Sequence, residues 1–314
     1  MGCRQAVKAW DFDSHIRAFK SHQPSQVGTV LLFRHFYFWR KFMSDYKLIA
    51  FDMDGTLLNS EKTISPVTLA AINQVFENGK EAVLSTGRCI AELRDIFPLI
   101  PRLRYAVSTS GGLVYDIKER KSIYSKIIEP SLSDEIFSIL TKRDVMLHIL
   151  TAERSIVSKE HEENMAHFHM GIYKPMYDKI ATIVDDPISF IRENHEDIYK
   201  INLYHTSQEE RDKSRHQLET LGLEIIDSEI TSIECSPKGV TKGTGLAALC
   251  EHLGFGIDKA IAVGDSDNDL DVLSKARLAI AMGNANDKVK AAADIIVSDN
   301  DHDGCAEAVD IMLK

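Results

Sequence analysis

Two aspartates one residue apart, Asp52 and Asp54, stand in the run Asp52-Met53-Asp54-Gly55-Thr56, directly after the apolar Leu48-Ile49-Ala50-Phe51. Three further polar segments lie far away in the chain: Ser85-Thr86-Gly87-Arg88, Lys242-Gly243-Thr244-Gly245, and Gly264-Asp265-Ser266-Asp267-Asn268-Asp269. Together they offer carboxylates, hydroxyls and a lysine, and that inventory fits phosphoryl transfer. Carboxylates alone repel a phosphate, but a hard divalent cation between them reverses the local sign. Mg2+ takes one or two carboxylates together with waters and phosphate oxygens. Asp52 can then attack phosphorus, since carboxylates are nucleophiles that form aspartyl-phosphates. Asp54 can protonate the leaving oxygen and later deprotonate a water. Thr86 and Lys242 would hold the negative charge of the transferring group. Backbone N–H groups near Met53, Gly87 and a helix start would add donors, and Gly55 permits a sharp turn.

Each motif has a plainer reading. A DxD pair is often a solvated turn, as Asp11-Phe12-Asp13 illustrates, with no strand before it and no Gly-Thr after it. Asp265, Asp267 and Asp269 mimic the start of a calcium loop. That loop needs Gly at its sixth position and Glu at its twelfth, where Leu270 and Ala276 stand. Lys238 competes with Lys242, and Ser85 with Thr86, for the phosphate. Arg88 fits a surface helix position as well as a site. His161, His167 and His169 invite a zinc reading, but His167 and His169 are two apart and do not share a helix face, so polar surface is the better account. Cys89 reads as packing, and Glu160, Glu162 and Glu163 as a solvated face.

Ligands of wound α/β sheets bind at the carboxyl ends of strands, so the elements around these motifs matter. Strands are expected at Lys47–Phe51, Ala82–Leu84, Tyr105–Ser108, Ala260–Val263, Leu278–Met282 and Ile295–Val297. Ser65-Pro66 starts a helix through Leu69, Ile72, Val75 and Phe76, which Gly79 ends. Helices are also expected through Ile90, Leu93 and Ile96, over Gly245–Leu253, and over Leu270–Ala276. Strands separated by helices of this length imply an α/β fold, a Rossmann-like doubly wound parallel sheet. The middle reads differently: a hairpin in Leu113–Ile127, helices at Leu132–Leu140 and Ile188–Asn194, and strands at Met146–Leu150, Ile198–Tyr204 and Glu224–Ile226. The expected organisation is a core of residues 43–116 and 238–314 with an inserted α+β cap of residues 117–237.

The four segments resemble the four motifs of the haloacid dehalogenase superfamily of phosphatases, and the finer pattern is similar to its Cof-type branch. The carrying residues are Phe51–Leu58 (FDMDGTLL), Ser85–Arg88 (STGR), Ser236–Gly243 (SPKGVTKG), Gly264–Asp269 (GDSDND) and Met282–Ala285 (MGNA). The resemblance spans Tyr46 to the C-terminus. It implies that Asp52 is nucleophile and metal ligand. Asp54 would be acid/base and lend its carbonyl to the metal. Thr86 with Gly87 and Lys242 would bind phosphate, with Asn268 near it. Asp265 would be the remaining carboxylate ligand of Mg2+, and Asp269 would support a metal-bound water. The inserted cap would choose the leaving group. Ser110-Gly111-Gly112 departs from the branch, which often has Asn-Gly there, and that touches only the substrate side.

Composition sets the remaining bounds. The 314 residues suit two domains. Five cysteines without a CxxC pair suggest free thiols in a reducing cytosol, so a cytoplasmic location is expected. No apolar run is long enough to span a membrane. A net charge of −10 argues against nucleic acid as a partner. Residues 1–42 stand apart, with seven Lys/Arg against two acids and nine aromatics, including both tryptophans. They read as an addition before a start at Met43, as a basic aromatic arm, or less readily as a targeting peptide. The expected function is Mg2+-dependent hydrolysis of a small phosphate ester, such as a sugar phosphate or phosphorylated cofactor. A phosphosugar mutase or phosphotransferase, and a non-catalytic binding protein, are the competing classes. Oligomeric state is not legible.

Overall fold

The computed structural model describes residues 45–314; the expected extension, residues 1–42, lies outside them. In chain order the elements are β1 (Leu48–Phe51), α1 (Pro66–Glu77), β2 (Glu81–Ser85), β3 (Tyr105–Ser108), β4 (Leu113–Asp116) and β5 (Lys121–Ser125). Next come α2 (Pro130–Leu140), β6 (Val145–Leu150), β7 (Ser155–Ser158), α3 (Lys159–Glu163), α4 (Lys174–Ile180), β8 (Ala181–Val184) and α5 (Pro187–Asn194). They are followed by β9 (Lys200–His205), α6 (Gln208–Leu218), β10 (Glu224–Glu229), β11 (Ser232–Ser236) and α7 (Lys242–His252). The chain closes with β12 (Ala260–Gly264), α8 (Leu270–Lys275), β13 (Leu278–Ala281), α9 (Asp287–Ala292), β14 (Ile295–Ile296) and α10 (Gly304–Leu313). Parallel strands alternating with helices make this the expected mixed α/β class. Two compact units emerge among the described residues: one takes in residues 45–82 and Phe255–Lys314, the other is Val83–Gly254.

In the first unit, β1 is four consecutive buried apolar residues, as a strand covered on both faces requires. It pairs in parallel with β12, with Phe51 opposite Val263. Strand β12 pairs with β13, and β13 with β14, also in parallel. On the other side Glu81 N–H, at the start of β2, bonds Lys47 O at 2.9 Å. Helix α1 begins where Ser65 Oγ accepts from Thr68 N–H at 3.0 Å and Pro66 supplies a preset φ. It buries Ala71, Ile72, Val75 and Phe76, packs on α10, and yields to Gly79 at φ +68°.

In the second unit β2 runs parallel to β3, and β3–β4 and β4–β5 are antiparallel. A separate sheet has the order β10-β11-β9-β6-β7-β8. Its pairs are antiparallel except β7–β8. One face of it is apolar: Ile149, Ile156, Ile201, Leu203 and Ile233 pack against Ile136 and Phe137 of α2, Ile191 of α5 and Leu218 of α6. Each such side chain contributes roughly 1.5–3 kcal/mol by leaving water.

One expected helix is absent. The stretch through Ile90, Leu93 and Ile96 forms two short 3-10 turns, Ile90–Leu93 and Phe97–Leu99. The Glu92 carboxylate closes the first turn by accepting from Cys89 N–H at 2.9 Å. Pro98 then lacks the N–H a helix would need and disfavours helical backbone at Phe97.

Candidate active site

Parallel pairing is what brings the carboxylates of the first unit together. Phe51 and Val263 are register partners, so Asp52 and the Gly264-Asp265 turn leave neighbouring strands at the same end. Asp52 N–H still bonds Val263 O at 3.0 Å. Carboxylate oxygens of Asp52, Asp265 and Asp269 lie within 4.8 Å of one another. Asp52 and Asp269 are buried, at 5% and 1% exposure. Three carboxylates this close repel strongly at low dielectric. The all-oxygen donor set therefore fits a hard divalent cation. Among the described residues this is the only such cluster; the histidines raised as zinc candidates do not join one. His167 bonds Asp144 at the surface, and His169 bonds Thr206 O.

Neighbouring groups fix these side chains. Asp269 Oδ2 accepts from the backbone N–H groups of Asp265 and Ser266 at 3.0 and 3.2 Å. Thr56 Oγ1 donates to Asp265 Oδ1 at 2.7 Å. Gly55 is required twice over: its φ is +79°, and a Cβ there would sit 2.4 Å from Asp265 Oδ2. Asp54 is half-exposed and takes a bond from Lys62 Nζ at 3.1 Å. Asn268 lies in the same loop, partly buried, with Oδ1 accepting from Ser266 Oγ at 2.9 Å. Burial and then the charges of Asp52 and Asp265 push the Cys305 thiol well up, so it stays protonated.

Thr86, Gly87 and Lys242 fall in the second unit. Thr86 leaves β2 with its N–H on Val107 O at 2.8 Å, and its Oγ1 accepts from Arg88 N–H at 3.2 Å. Its carbonyl accepts from Ser110 N–H at 3.0 Å, which ties it to the Thr109–Gly111 turn. The far side of that turn meets the start of α7. Gly111, at φ +98°, approaches so closely that a Cβ would overlap Thr241 O at 1.9 Å and sit 3.1 Å from Lys242 N. Thr241 caps α7, its Oγ1 accepting from Thr244 N–H at 3.1 Å. Thr86 and Lys242 are thus attached to opposite sides of one turn. Lys242 is 1% exposed, whereas its competitor Lys238 is exposed. Ser85 is also buried, its Oγ without a hydrogen-bond partner.

Sequence reasoning missed Lys200, Asn202 and Glu234. They sit on the second face of the six-stranded sheet, opposite the apolar one, at register partners Asn202↔Glu234 and Asn202↔His148. Lys200 Nζ pairs with Glu234 Oε2 at 2.8 Å and donates to Ser110 Oγ at 3.2 Å. Burial would raise the Glu234 carboxyl, but Lys200 beside it prevails and the net shift is downward. The available signal was polar residues at every second position of Lys200-Ile201-Asn202-Leu203-Tyr204, a pattern that a strand with one solvated face gives equally.

Residues 49–309 match the haloacid dehalogenase-like hydrolase family. The chain belongs to that family, and it is similar to several proteins named as phosphatases. It is 31% identical over 269 residues to the 5-amino-6-(5-phospho-D-ribitylamino)uracil phosphatase YcsE of Bacillus subtilis, covering 84% of this chain and 95% of that protein. It is 25% identical over 271 residues to the pyridoxal phosphate phosphatase YbhA of Escherichia coli, covering 84% and 97%. A solved haloacid dehalogenase-like hydrolase from B. subtilis superposes with a TM-score of 0.75 at 25% identity, over 84% of this chain and 99% of that one. No helix among the described residues is long and apolar enough to cross a membrane.

Proposed function

We propose that this enzyme is a Mg2+-dependent phosphomonoester hydrolase for small phosphorylated metabolites. The meeting of Asp52, Asp265 and Asp269 beyond the paired ends of β1 and β12 carries the reading. Asp52, Asp265 and, through its carbonyl, Asp54 would hold the ion, with Asp269 supporting a bound water. The ion would cancel the carboxylate repulsion and offset charge on the phosphoryl oxygens. Asp52 attacks phosphorus, forming an Oδ–P bond as the P–O bond to the leaving group breaks. Asp54 gives its proton to the departing oxygen. Water, deprotonated by Asp54, then attacks the aspartyl-phosphate. Inorganic phosphate leaves, and Asp52 is restored. Thr86, the Gly87 backbone, Lys242 and Asn268 stabilise the transferring group.

Residues 43–116 and 238–314 act in this reading as the core and residues 117–237 as the cap. The names of the two relatives support small phosphorylated metabolites as substrates. Buried thiols at Cys89, Cys235 and Cys305, none in a disulfide, support a reducing, cytosolic setting. The test is Asp52→Asn against a panel of phosphate esters, with phosphate release measured. Turnover should fall at least ~10³-fold with an unchanged circular dichroism spectrum. Retained turnover, or an isomerised sugar phosphate in place of inorganic phosphate, would refute the assignment.

A further inference from the structure

The second face of the six-stranded sheet is unusual for a buried surface. Met146 and Val157 on this face pack under Met165, Phe168 and Tyr177, and beside that apolar cluster the polar Lys200 is 1% and Asn202 8% exposed. A buried ion pair is weak evidence for stability, because desolvation offsets the attraction. Two buried atoms on this face have no hydrogen-bond partner at all, Asn202 Oδ1 and Ser232 Oγ. Buried polar groups are normally satisfied, and an orphan costs free energy. The Asn202 amide nitrogen itself makes only long bonds, 3.3 Å to His148 Nδ1 and 3.4 Å to Tyr204 Oη. This arrangement is poor as scaffolding.

The face abuts the proposed phosphate loop. A Cβ on Gly87 would lie 2.9 Å from Lys200 Nζ, 3.4 Å from Ser110 Oγ and 3.8 Å from Glu234 Oε1. Gly87 does not have a positive φ, so a side chain there would strain no backbone and would press mainly on the Lys200 ammonium. An ester held at Thr86 and Gly87 would extend its leaving group toward them.

We infer that Lys200, Asn202 and Glu234, with Ser110, form the recognition surface for a hydroxyl-rich, polyol-like leaving group; the inference rests on the phosphatase reading. The chemistry selects the class. An anionic group would meet Glu234, and a cationic one Lys200. An apolar ring would leave the pair and the orphan acceptor uncompensated. A hydroxyl both donates and accepts. Adjacent hydroxyls can take a bond from Lys200 Nζ while giving bonds to Glu234 and Asn202 Oδ1. A site built to bond substrate hydroxyls discriminates strongly against analogues lacking them.

The test compares kcat/KM for ribitol 5-phosphate and for hydroxyl-free phenyl phosphate in the full chain. It uses Asn202→Leu, Glu234→Gln and the paired Lys200→Met/Glu234→Met, the last leaving no buried charge alone. Each should lower the ratio of the two constants at least tenfold, mainly through KM. Asn202→Leu should do so without lowering the melting temperature, since it removes an orphan acceptor. An equal fall on both esters, an unchanged ratio, or a destabilised Asn202→Leu with its ratio intact would overturn the inference. A wild-type protein inert toward both esters, with Mg2+ present, would overturn the phosphatase reading and this inference with it.

Discussion

His148 is a single residue with a measurable signature. It is enclosed in the second unit, with Nε2 on Ser155 Oγ at 2.6 Å and Nδ1 on Tyr177 Oη at 2.9 Å. Burial is the main reason its pKa falls to about 4; Glu92 opposes the shift and Lys200 reinforces it. The folded protein therefore binds fewer protons than the unfolded chain between about pH 6.5 and 4. Stability from this residue is complete above that window and is lost as pH falls through it. Each pH unit below about 6 should remove roughly 1.4 kcal/mol through this group alone. His161 and His205 are also lowered, first by burial, and pull the same way. Urea unfolding from pH 7 to 4.5 should show this slope, and His148→Gln should flatten it. Such a residue is silent in the sequence, where His148 sits unmarked inside an apolar strand. The nucleophile candidate Asp52 is not silent, because the apolar run before it and the Gly-Thr after it give its place away.

Helix α7 lets one substitution probe folding and the proposed site together. Thr241 closes its first turn, and the next residue is Lys242. Thr241→Val keeps the shape and removes the cap, which should cost about 1 kcal/mol. Because Lys242 belongs to the loosened turn, kcat/KM for phosphate esters should also fall several-fold. Thermal unfolding and steady-state kinetics on one preparation check both, and lost stability with untouched kinetics would count against Lys242. At this scale legibility followed burial pattern. The strands β1, β3 and β12 were readable because short, wholly buried strands leave continuous apolar runs. Helix α1 was readable because Ser65, Pro66 and Gly79 punctuate it. Helix α6 was not, since only Ser214 and Leu218 are buried and no apolar stripe forms. Strand β11 was hidden for the same reason, its Glu234 standing on an inward face. The apolar spacing of Ile90, Leu93 and Ile96 misled because 3-10 turns bury the same residues until Pro98 intervenes.

For the whole molecule the feature to probe is the close approach of the carboxylates of Asp52, Asp265 and Asp269. A ligand that binds only the folded state raises stability by mass action. Millimolar Mg2+ should therefore raise the melting temperature by several degrees, and chelation should reverse the rise. Asp265→Asn should raise the metal-free melting temperature while abolishing the response. Scanning calorimetry at fixed ionic strength separates this from general screening. The first unit has another property, that of being written in two instalments. Leu48 of β1 finds its partner Ala260 only after the whole second unit has been spelled out. During synthesis the opening strand must wait on the ribosome's progress, while Val83–Gly254 already holds a complete sheet and its own apolar interior. A chain cut before residue 260 would thus keep the bond from Glu81 N–H to Lys47 O but lose β12, and Asp52 would lack both Asp265 and Asp269.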